Sequence, residues 1–341
     1  MFQKLWTKCT VLNLTTTFLN VFIVILYFFF SIRLTFYNKK YIVLYPYPLT
    51  ITVTHLFLKF IFAWSFRCVY EKYYKTYRKE LLWSDFLKIS VTGLTSSLDI
   101  GLSNWSFEYI TISLYTMTKS TSILFILFFS IILKLEKKRI SLIFVILFIA
   151  CGLLMFTYKS TQFHLQGFLL CLSASMLSGI RWSTTQLFTQ HDKFGLSHPI
   201  DMIYHVQPWM ILFLLPLSSG IEGLEVTSSS KFFGFHNSTE GLDLFFVLLY
   251  GAILAFAMEC TEYLMVSRTS SLTLCISGII KEITLLGLAV KINKDEINSI
   301  NFVGLIFCLL GISLHVIIKF RYSNDDQKVS RIEIPEISPD D

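Results

Sequence analysis

The sequence predicts an all-α membrane protein in which ten helices cross the bilayer. The chain of 341 residues is 54% hydrophobic, and only 15% of its residues are charged, against roughly 25% in soluble domains. Apolar runs of about 20 residues, the length that crosses hydrocarbon as a helix, recur along the whole chain. Basic residues gather beside these runs, so we interpret the net charge of +6 as an orientation signal. We expect a lipid bilayer around the protein and no nucleic-acid partner.

The predicted spans follow one another at short intervals. They cover residues 15–37, 48–69, 86–106, 110–133, 140–158, 165–188, 201–219, 242–264, 269–291 and 299–319. Spans three, eight and nine are the weakest on hydropathy. The first run begins with basic residues like a signal peptide, but it is too long and lacks a small-residue cleavage pattern, so we expect it to stay attached.

The distribution of Lys and Arg between alternate loops favours both termini in the cytosol. Residues 1–14 are then a cytosolic N-terminus, and the polar residues 321–341 a disordered cytosolic tail. The loop 218–241 lies on the opposite side and carries a glycosylation candidate, Asn237, in an N-x-[ST] sequon. The charges from Arg67 to Asp85 predict a solvated cytosolic loop. We expect buried free thiols at the intramembrane cysteines Cys151, Cys171, Cys260, Cys275 and Cys308.

Faint self-similarity divides the chain into two halves of five spans. The pair Ser113-Leu114 recurs as Ser271-Leu272, and Gly152 of span five as Gly311 of span ten. We therefore predict a first repeat over residues 15–158 and a second over 165–320. Because five is odd, the second copy enters the membrane from the opposite side, as in the inverted repeats of many secondary transporters, whose substrate site lies near the bilayer midplane.

Two lysines are the most informative residues. Lys119 and Lys281 lie around ten residues inside spans four and nine, too deep for easy snorkelling. A charge there costs at least about 2.5 to 3.5 kcal/mol, so it lines a wet cavity or is paired. Two lysines from opposite halves would make an anion site, to which we add the hydroxyls on the same helical faces, those of Thr116, Thr273 and Ser277. Alternatively, each lysine closes a structural ion pair, Lys281 with Glu259 or Glu262.

Other intramembrane polar residues extend the candidate site. Arg181 could hold a phosphate with two parallel hydrogen bonds or pair with Asp99 or a glutamate. Glu259 and Glu262 share one helical face and could be counter-charges, a proton site or structural. Asn104 and Tyr115 complete the predicted substrate-binding set.

Catalytic signatures are absent from the sequence. We find no P-loop, HExxH, paired-cysteine zinc pattern or G-x-S-x-G elbow, and the loops are too short for an enzyme domain. We therefore expect binding and movement of a solute, with no cofactor and no metal.

The segments around the two lysines resemble a known family. SLYTMTKS (113–120) and SSLTLCISGIIKE (270–282), together with LDIGLSNWSF, GIRWS and PIDMIYHVQP, are similar to the triose-phosphate translocator and nucleotide-sugar transporter family of the drug/metabolite transporter superfamily. Within it they look most like the GDP-fucose-transporter-like C branch of solute carrier family 35. The likeness covers about residues 15–320.

This resemblance implies ten helices in two inverted halves and a central site open alternately to each side of a Golgi or early secretory membrane. It also implies exchange of a cytosolic nucleotide sugar, GDP-fucose or a related GDP-sugar, for a lumenal nucleoside monophosphate. In relatives that carry sugar phosphates, the lysines matching Lys119 and Lys281 contact the phosphate. An unloaded site with both lysine charges unscreened would be reluctant to reorient, which would make exchange obligatory.

One residue departs from the family pattern. The position after the second lysine is basic in the plastid phosphate exchangers, whereas here it is Glu282, whose carboxylate would repel a compact dianion. This departure argues against triose-phosphate exchange. A sugar-phosphate/phosphate exchanger, a non-transporting regulatory membrane protein of the same fold and a polytopic transferase stay open as alternatives, as does a homodimer.

Overall fold

The computed structural model describes residues 2–74, 82–133, 163–190, 196–223 and 238–268, with scattered positions within 144–155, 274–292 and 299–318. The side chains of residues 2–17 and 238–240 are not among those described. Within the described residues the regular elements are helices, as the all-α prediction requires.

Eight helices have defined bounds in this part of the chain. They are α1 (Phe2–Leu44), α2 (Pro48–Tyr74), α3 (Trp83–Tyr109), α4 (Ile112–Ser120), α5 (Ser122–Ile132), α6 (Leu165–Gln190), α7 (Pro199–Ile221) and α8 (Ser238–Arg268). Helix α1 begins well before the predicted start of span one, so most of the predicted N-terminal segment 1–14 is helical. Of predicted spans five, nine and ten, only scattered residues are described.

Five helical segments are long and apolar enough to cross a membrane. They are Phe18–Leu44, Pro48–Tyr73, Ile112–Ile132, Pro199–Ile221 and Gly241–Arg268, which correspond to predicted spans one, two, four, seven and eight. The expectation that span eight is weakly hydropathic is wrong, because its mean hydropathy of 2.1 exceeds that of the other four. Its glutamates interrupt an otherwise continuous apolar run. Helices α3 and α6 occupy predicted spans three and six.

The helices pack in pairs that join the two predicted halves of the chain. Helix α3 packs against α6 and α7, α2 against α7, α1 against α8, and α5 against α6. The residues group into two compact units, one of residues 1–136 and 162–296 and the other of 137–161 and 297–341. The candidate site described below lies within the first unit.

Gly179, which has no side chain, lets α5 and α6 approach each other closely. A Cβ atom built at Gly179 would lie 2.6 Å from the backbone carbonyl carbon of Phe125, closer than such atoms pack. The two helix backbones therefore touch at this point, and the only residue that permits the contact is glycine.

Predicted span four is interrupted beside Lys119. The backbone N–H of Thr121 donates to the carbonyl of Thr118 at 3.1 Å, and that of Leu124 to Thr121 at 3.0 Å, so one turn is tighter than an α-helix. The Thr121 hydroxyl also donates to the Thr118 carbonyl at 2.6 Å. Hydroxyl side chains that compete for backbone carbonyls in this way bend helices, and the run TKSTS supplies several of them.

Two sequence-based predictions about burial, for Arg67 and for Cys151, are wrong. Helix α2 continues to Tyr74, and Arg67 is buried rather than in a solvated loop. It lies 3.8 Å from Asp201 and 4.3 Å from the Tyr204 ring centroid, because α7 packs beside it. Cys151 is exposed rather than buried, since an apolar span has a lipid-facing side as well as a protein-facing one.

The opposite end of the contact between α2 and α7 is closed by a carboxylate. Glu222, which follows α7, accepts the N–H of Leu49 at 2.8 Å and that of Thr50 at 2.7 Å. It also accepts the Thr50 hydroxyl at 2.7 Å. Burial raises the pKa of Glu222 above its ordinary value near 4.5, although these hydrogen bonds oppose the shift. Two of the free N–H groups at the α2 N-terminus are thus satisfied by the residue that follows α7.

Candidate functional site

A cavity of about 200 Å³ lies between α1, α2, α3, α4, α5, α6, α8 and predicted span nine. Its polar lining falls into two layers. The charged layer consists of Lys59, Asp99, Lys119, Arg181, Glu259, Glu262 and Lys281. The neutral layer consists of Asn38, Thr52, Asn104, Phe107 and Tyr115. Asn104 lies five residues beyond Asp99 on α3, so the layers are separated by about 7.5 Å along that helix.

Asp99 is the centre of the charged layer. Its Oδ1 accepts a short hydrogen bond from Lys119 Nζ, and its Oδ2 accepts one from Arg181 Nη1 at 3.3 Å. Lys119 Nζ also donates to Ser103 Oγ at 2.8 Å. One carboxylate from α3 thus bridges a cation from α4 and another from α6. The sequence-based alternative that Arg181 pairs with Asp99 is confirmed.

Arg181 also faces the two glutamates of α8, at longer range. Its Nη2 lies 3.7 Å from Glu262 Oε2 and 4.0 Å from Glu259 Oε1, while its guanidinium carbon lies 4.6 Å from the Trp182 ring centroid. The Nε and Nη2 atoms of Arg181 donate no hydrogen bond to any residue that the structure describes. A buried guanidinium that lines a cavity with open donors suits a planar or tetrahedral oxyanion.

A second buried ion pair was missed by the sequence reasoning. Lys59 Nζ lies 2.7 Å from Glu259 Oε2, which also accepts from Gln207 at 2.9 Å. Tyr263 donates to the other oxygen of Glu259 at 3.0 Å. The signal was in the sequence: Lys59 in HLFLKF lies as deep inside span two as Lys119 does inside span four. The same depth rule would have found it.

Hydrogen bonds between uncharged side chains build the neutral layer. Asn38 Nδ2 donates to Asn104 Oδ1 at 3.0 Å, and Asn104 Nδ2 donates to Thr52 Oγ1 at 2.8 Å. The rings of Phe107 and Tyr115 pack with centroids 4.2 Å apart beside them. Amides and aromatic faces of this kind recognise sugar hydroxyls or a base without adding charge.

Most of the predicted site residues meet in this cavity. Its wall includes Lys119, Lys281, Thr116, Arg181, Tyr115, Asn104, Glu259 and Glu262. Lys281 Nζ lies 5.6 Å from the Tyr27 ring centroid. Ser277 is buried but does not belong to the cavity lining. Thr273, Glu282 and the glycosylation candidate Asn237 lie outside the described residues, so their roles stay predictions.

The cavity is close to electrically balanced. Among the described residues its wall carries four cations, Lys59, Lys119, Arg181 and Lys281, and three carboxylates, Asp99, Glu259 and Glu262. The expectation of an unloaded site with both lysine charges unscreened is therefore wrong for Lys119, whose charge is neutralised by Asp99. Internal carboxylates supply the counter-charge that a buried cation needs in an apolar environment.

Comparison with known proteins accounts for nearly the whole chain. Residues 19–316 match the profile of the Triose-phosphate Transporter family. The chain is 31% identical over 306 positions to a "Probable sugar phosphate/phosphate translocator" of Arabidopsis thaliana, covering 86% of this chain and 72% of the relative. It is 27% identical over 375 positions to a "Putative nucleotide-sugar transporter" of Saccharomyces cerevisiae, covering 88% and 84%. The chain belongs to the Triose-phosphate Transporter family and is a membrane transporter.

Proposed function

We propose that the protein is an antiporter that exchanges a phosphorylated sugar for a smaller phosphate-containing anion by alternating access. One observation carries the proposal: Lys119 and Arg181, from different predicted halves, meet on one carboxylate at the charged end of a cavity whose other end is neutral. A phosphorylated sugar has the same division, with a dianionic group at one end and hydroxyl groups at the other. The charged layer would hold the phosphate, and the neutral layer the sugar.

The helix pairing supports two inverted repeats of five spans. In terms of predicted spans, the contacts are three with six, two with seven and one with eight. When five is added to each span number, and counting returns to one after ten, the pair three and six becomes the pair eight and one. The pair two and seven becomes itself. The set of contacts thus maps onto itself, as expected when two similar halves are related by a two-fold axis.

A sugar phosphate exchanged for inorganic phosphate is the substrate pair that the geometry favours. The cavity of about 200 Å³ is smaller than the roughly 300 to 1,000 Å³ of drug-sized ligand sites. A triose or hexose phosphate is the compact kind of ester that such a space suits. The "sugar phosphate/phosphate" name of the plant relative agrees with this assignment.

GDP-fucose or a related GDP-sugar, exchanged for a nucleoside monophosphate, is the second candidate. It is favoured by the segments that resemble the C branch of solute carrier family 35, by Glu282 beside the second lysine, and by the name of the yeast relative. A Golgi or early secretory membrane and the cytosolic placement of both termini stay predictions from the sequence, as does the possible homodimer.

Uptake into proteoliposomes tests the proposal. The purified full chain is reconstituted with trapped phosphate, trapped GMP or no trapped anion, and labelled triose phosphate, hexose phosphate, GDP-fucose and GDP-mannose are offered outside. We expect sugar-phosphate uptake that depends on trapped phosphate. GDP-sugar uptake that depends on trapped GMP would select the second candidate, and no uptake across the panel would favour a non-transporting regulatory protein.

A further inference from the structure

We propose that Asp99 is an internal counter-anion that holds the place of the substrate phosphate between Lys119 and Arg181 while the transporter is unloaded. On loading, the phosphate takes these two cations and the carboxylate gives them up. The inference rests on the proposed function in one respect, namely that the substrate is a phosphate-bearing anion. It adds a residue that competes with the substrate rather than binding it.

Asp99 bridges Lys119 and Arg181 with its two carboxylate oxygens. Each oxygen of Asp99 meets a different cation, Oδ1 with Lys119 and Oδ2 with Arg181. Two oxygens of one phosphate group can span the same pair of donors, because lysine and arginine bind carboxylate and phosphate oxygens by the same charge-assisted hydrogen bonds. The side chain of Asp99 is only 4% exposed, so it is held against the cations inside the protein.

Arg181 has hydrogen-bond donors that Asp99 does not use. Toward the described residues, Nε and Nη2 of Arg181 donate no hydrogen bond, and the Arg181 side chain is 5% exposed. A carboxylate bound through one oxygen cannot fill a five-donor guanidinium, whereas a phosphate offers a third terminal oxygen. Arg181 therefore has more donors than Asp99 fills, although its Nη2 also faces Glu262 at 3.7 Å and Glu259 at 4.0 Å.

The bridge between Asp99, Lys119 and Arg181 lies in the wall of the cavity. The Lys119 side chain is 18% exposed, against 4% for Asp99, and it lines the cavity, so an anion in the cavity can approach it. Ser103, one turn along α3, lies 3.5 Å from Asp99 Oδ1 and accepts from Lys119. Its hydroxyl is a neutral partner already in place for the displaced carboxylate, which reduces the cost of leaving that charge buried.

A competing carboxylate lowers the affinity for the anion and so favours its release after each crossing. Phosphate binding must displace Asp99, so the apparent affinity is reduced by the population in which the bridge is closed. Removing the carboxylate while keeping the shape of the side chain should therefore tighten phosphate binding. A residue with a purely structural role would weaken binding when changed.

Asp99→Asn tests this with inorganic phosphate as the probe. The detergent-solubilised full chain is titrated with phosphate, and the melting temperature gives the half-saturating concentration. We expect that concentration to fall at least about tenfold in Asp99→Asn, since a charged hydrogen-bond competitor is removed. The matched control is Asp85→Asn, which removes a carboxylate of the same helix that pairs with Lys88 and does not line the cavity. There we expect a change below about threefold, from the weaker field of a charge at longer range.

Each outcome decides the question. Binding that is weaker or unchanged in Asp99→Asn overturns the proposal, as does an equal gain in Asp85→Asn. If Asp99→Asn folds only when phosphate is present, phosphate replaces the carboxylate and the proposal is supported. If it is unfolded at every phosphate concentration, the proposal is overturned. Tighter phosphate binding without uptake in liposomes would reject the exchange function alone, whereas wild-type exchange with no effect of Asp99→Asn would reject the counter-anion alone.

Discussion

The two layers of the cavity are assembled from different parts of the chain. The neutral layer draws Asn38, Thr52 and Asn104 from α1, α2 and α3, all in the first predicted half. The charged layer joins the halves, through Asp99 with Arg181 and Lys59 with Glu259. The difference separates two tasks. In the proposed function, a single half recognises the uncharged part of the solute, while the anion is bound where the two predicted halves meet.

The largest expected effect is on the charged layer alone. Lys119→Ala should reduce exchange at least about a hundredfold, because one of the two cations that would hold the anion is lost and Asp99 is left with one cation fewer. We expect a similar loss for Lys281→Ala. Initial rates in proteoliposomes measure it. The matched control is Lys88→Ala, which removes a lysine of α3 that is 58% exposed; its rate should stay within a factor of about two. Lys119→Ala with wild-type exchange would remove the distinction between the layers.

Breaking the second link between the halves should act on stability. Lys59→Met leaves Glu259 charged and buried without its cation, which typically costs about 3 to 5 kcal/mol. The double variant Lys59→Met with Glu259→Gln should recover most of that loss, since no unpaired charge is left. Denaturant unfolding in detergent measures both. A double variant as unstable as the single one would show that the pair is not what stabilises this contact.

The neutral layer should act on selectivity rather than on rate. Asn104→Ala removes the central amide and should raise KM for a sugar-bearing substrate about tenfold, as expected for a lost buried hydrogen bond. Phosphate–phosphate self-exchange should change less than about twofold, because inorganic phosphate has no part that reaches this layer. Equal losses for both substrates would mean that the two layers do not divide the work.

The smallest effect is expected outside the cavity, at Glu222. Because its pKa is raised, the folded protein holds a proton that the unfolded chain releases. Its contribution to stability is therefore greatest at low pH and is lost as the pH rises from about 4.5 through the raised pKa. Glu222→Gln should flatten the dependence of the melting temperature on pH over that window. Asp243→Asn, at an exposed carboxylate, is the control and should leave the slope unchanged; an unaltered slope in Glu222→Gln would contradict the prediction.

Depth within an apolar run was a good guide to the site. Lys119, Arg181, Glu259 and Glu262 were identified because intramembrane charges are costly, and the structure places all four on one cavity wall. The same argument applied to Lys59 would have completed the charged layer. Partners were harder to predict, because which carboxylate meets which cation depends on the rotation of each helix about its axis. The sequence left Arg181 with Asp99 or a glutamate as alternatives, and the structure gives it all three.

The break at Thr121 and the burial of Arg67 were beyond the sequence reasoning for a different reason. Hydropathy averages over a window, so it reports that a segment is apolar but not that one turn is tightened by competing hydroxyls. A hydropathy window also ends a predicted span where charged residues begin, although α2 continues to Tyr74 while packed against α7. The first feature comes from local hydroxyl groups, and the second is tertiary in origin.

In the proposed alternating access, the backbone contact at Gly179 would be a fulcrum for rocking of the two predicted halves. Helices α5 and α6 belong to different predicted halves, and their backbones touch there with no side chain between them. Points near a fulcrum travel least, and Arg181 is only two residues away. The anion end of the cavity would then stay almost stationary while the ends of the helices swing, so the transporter could open to either side without carrying its buried charges through the bilayer.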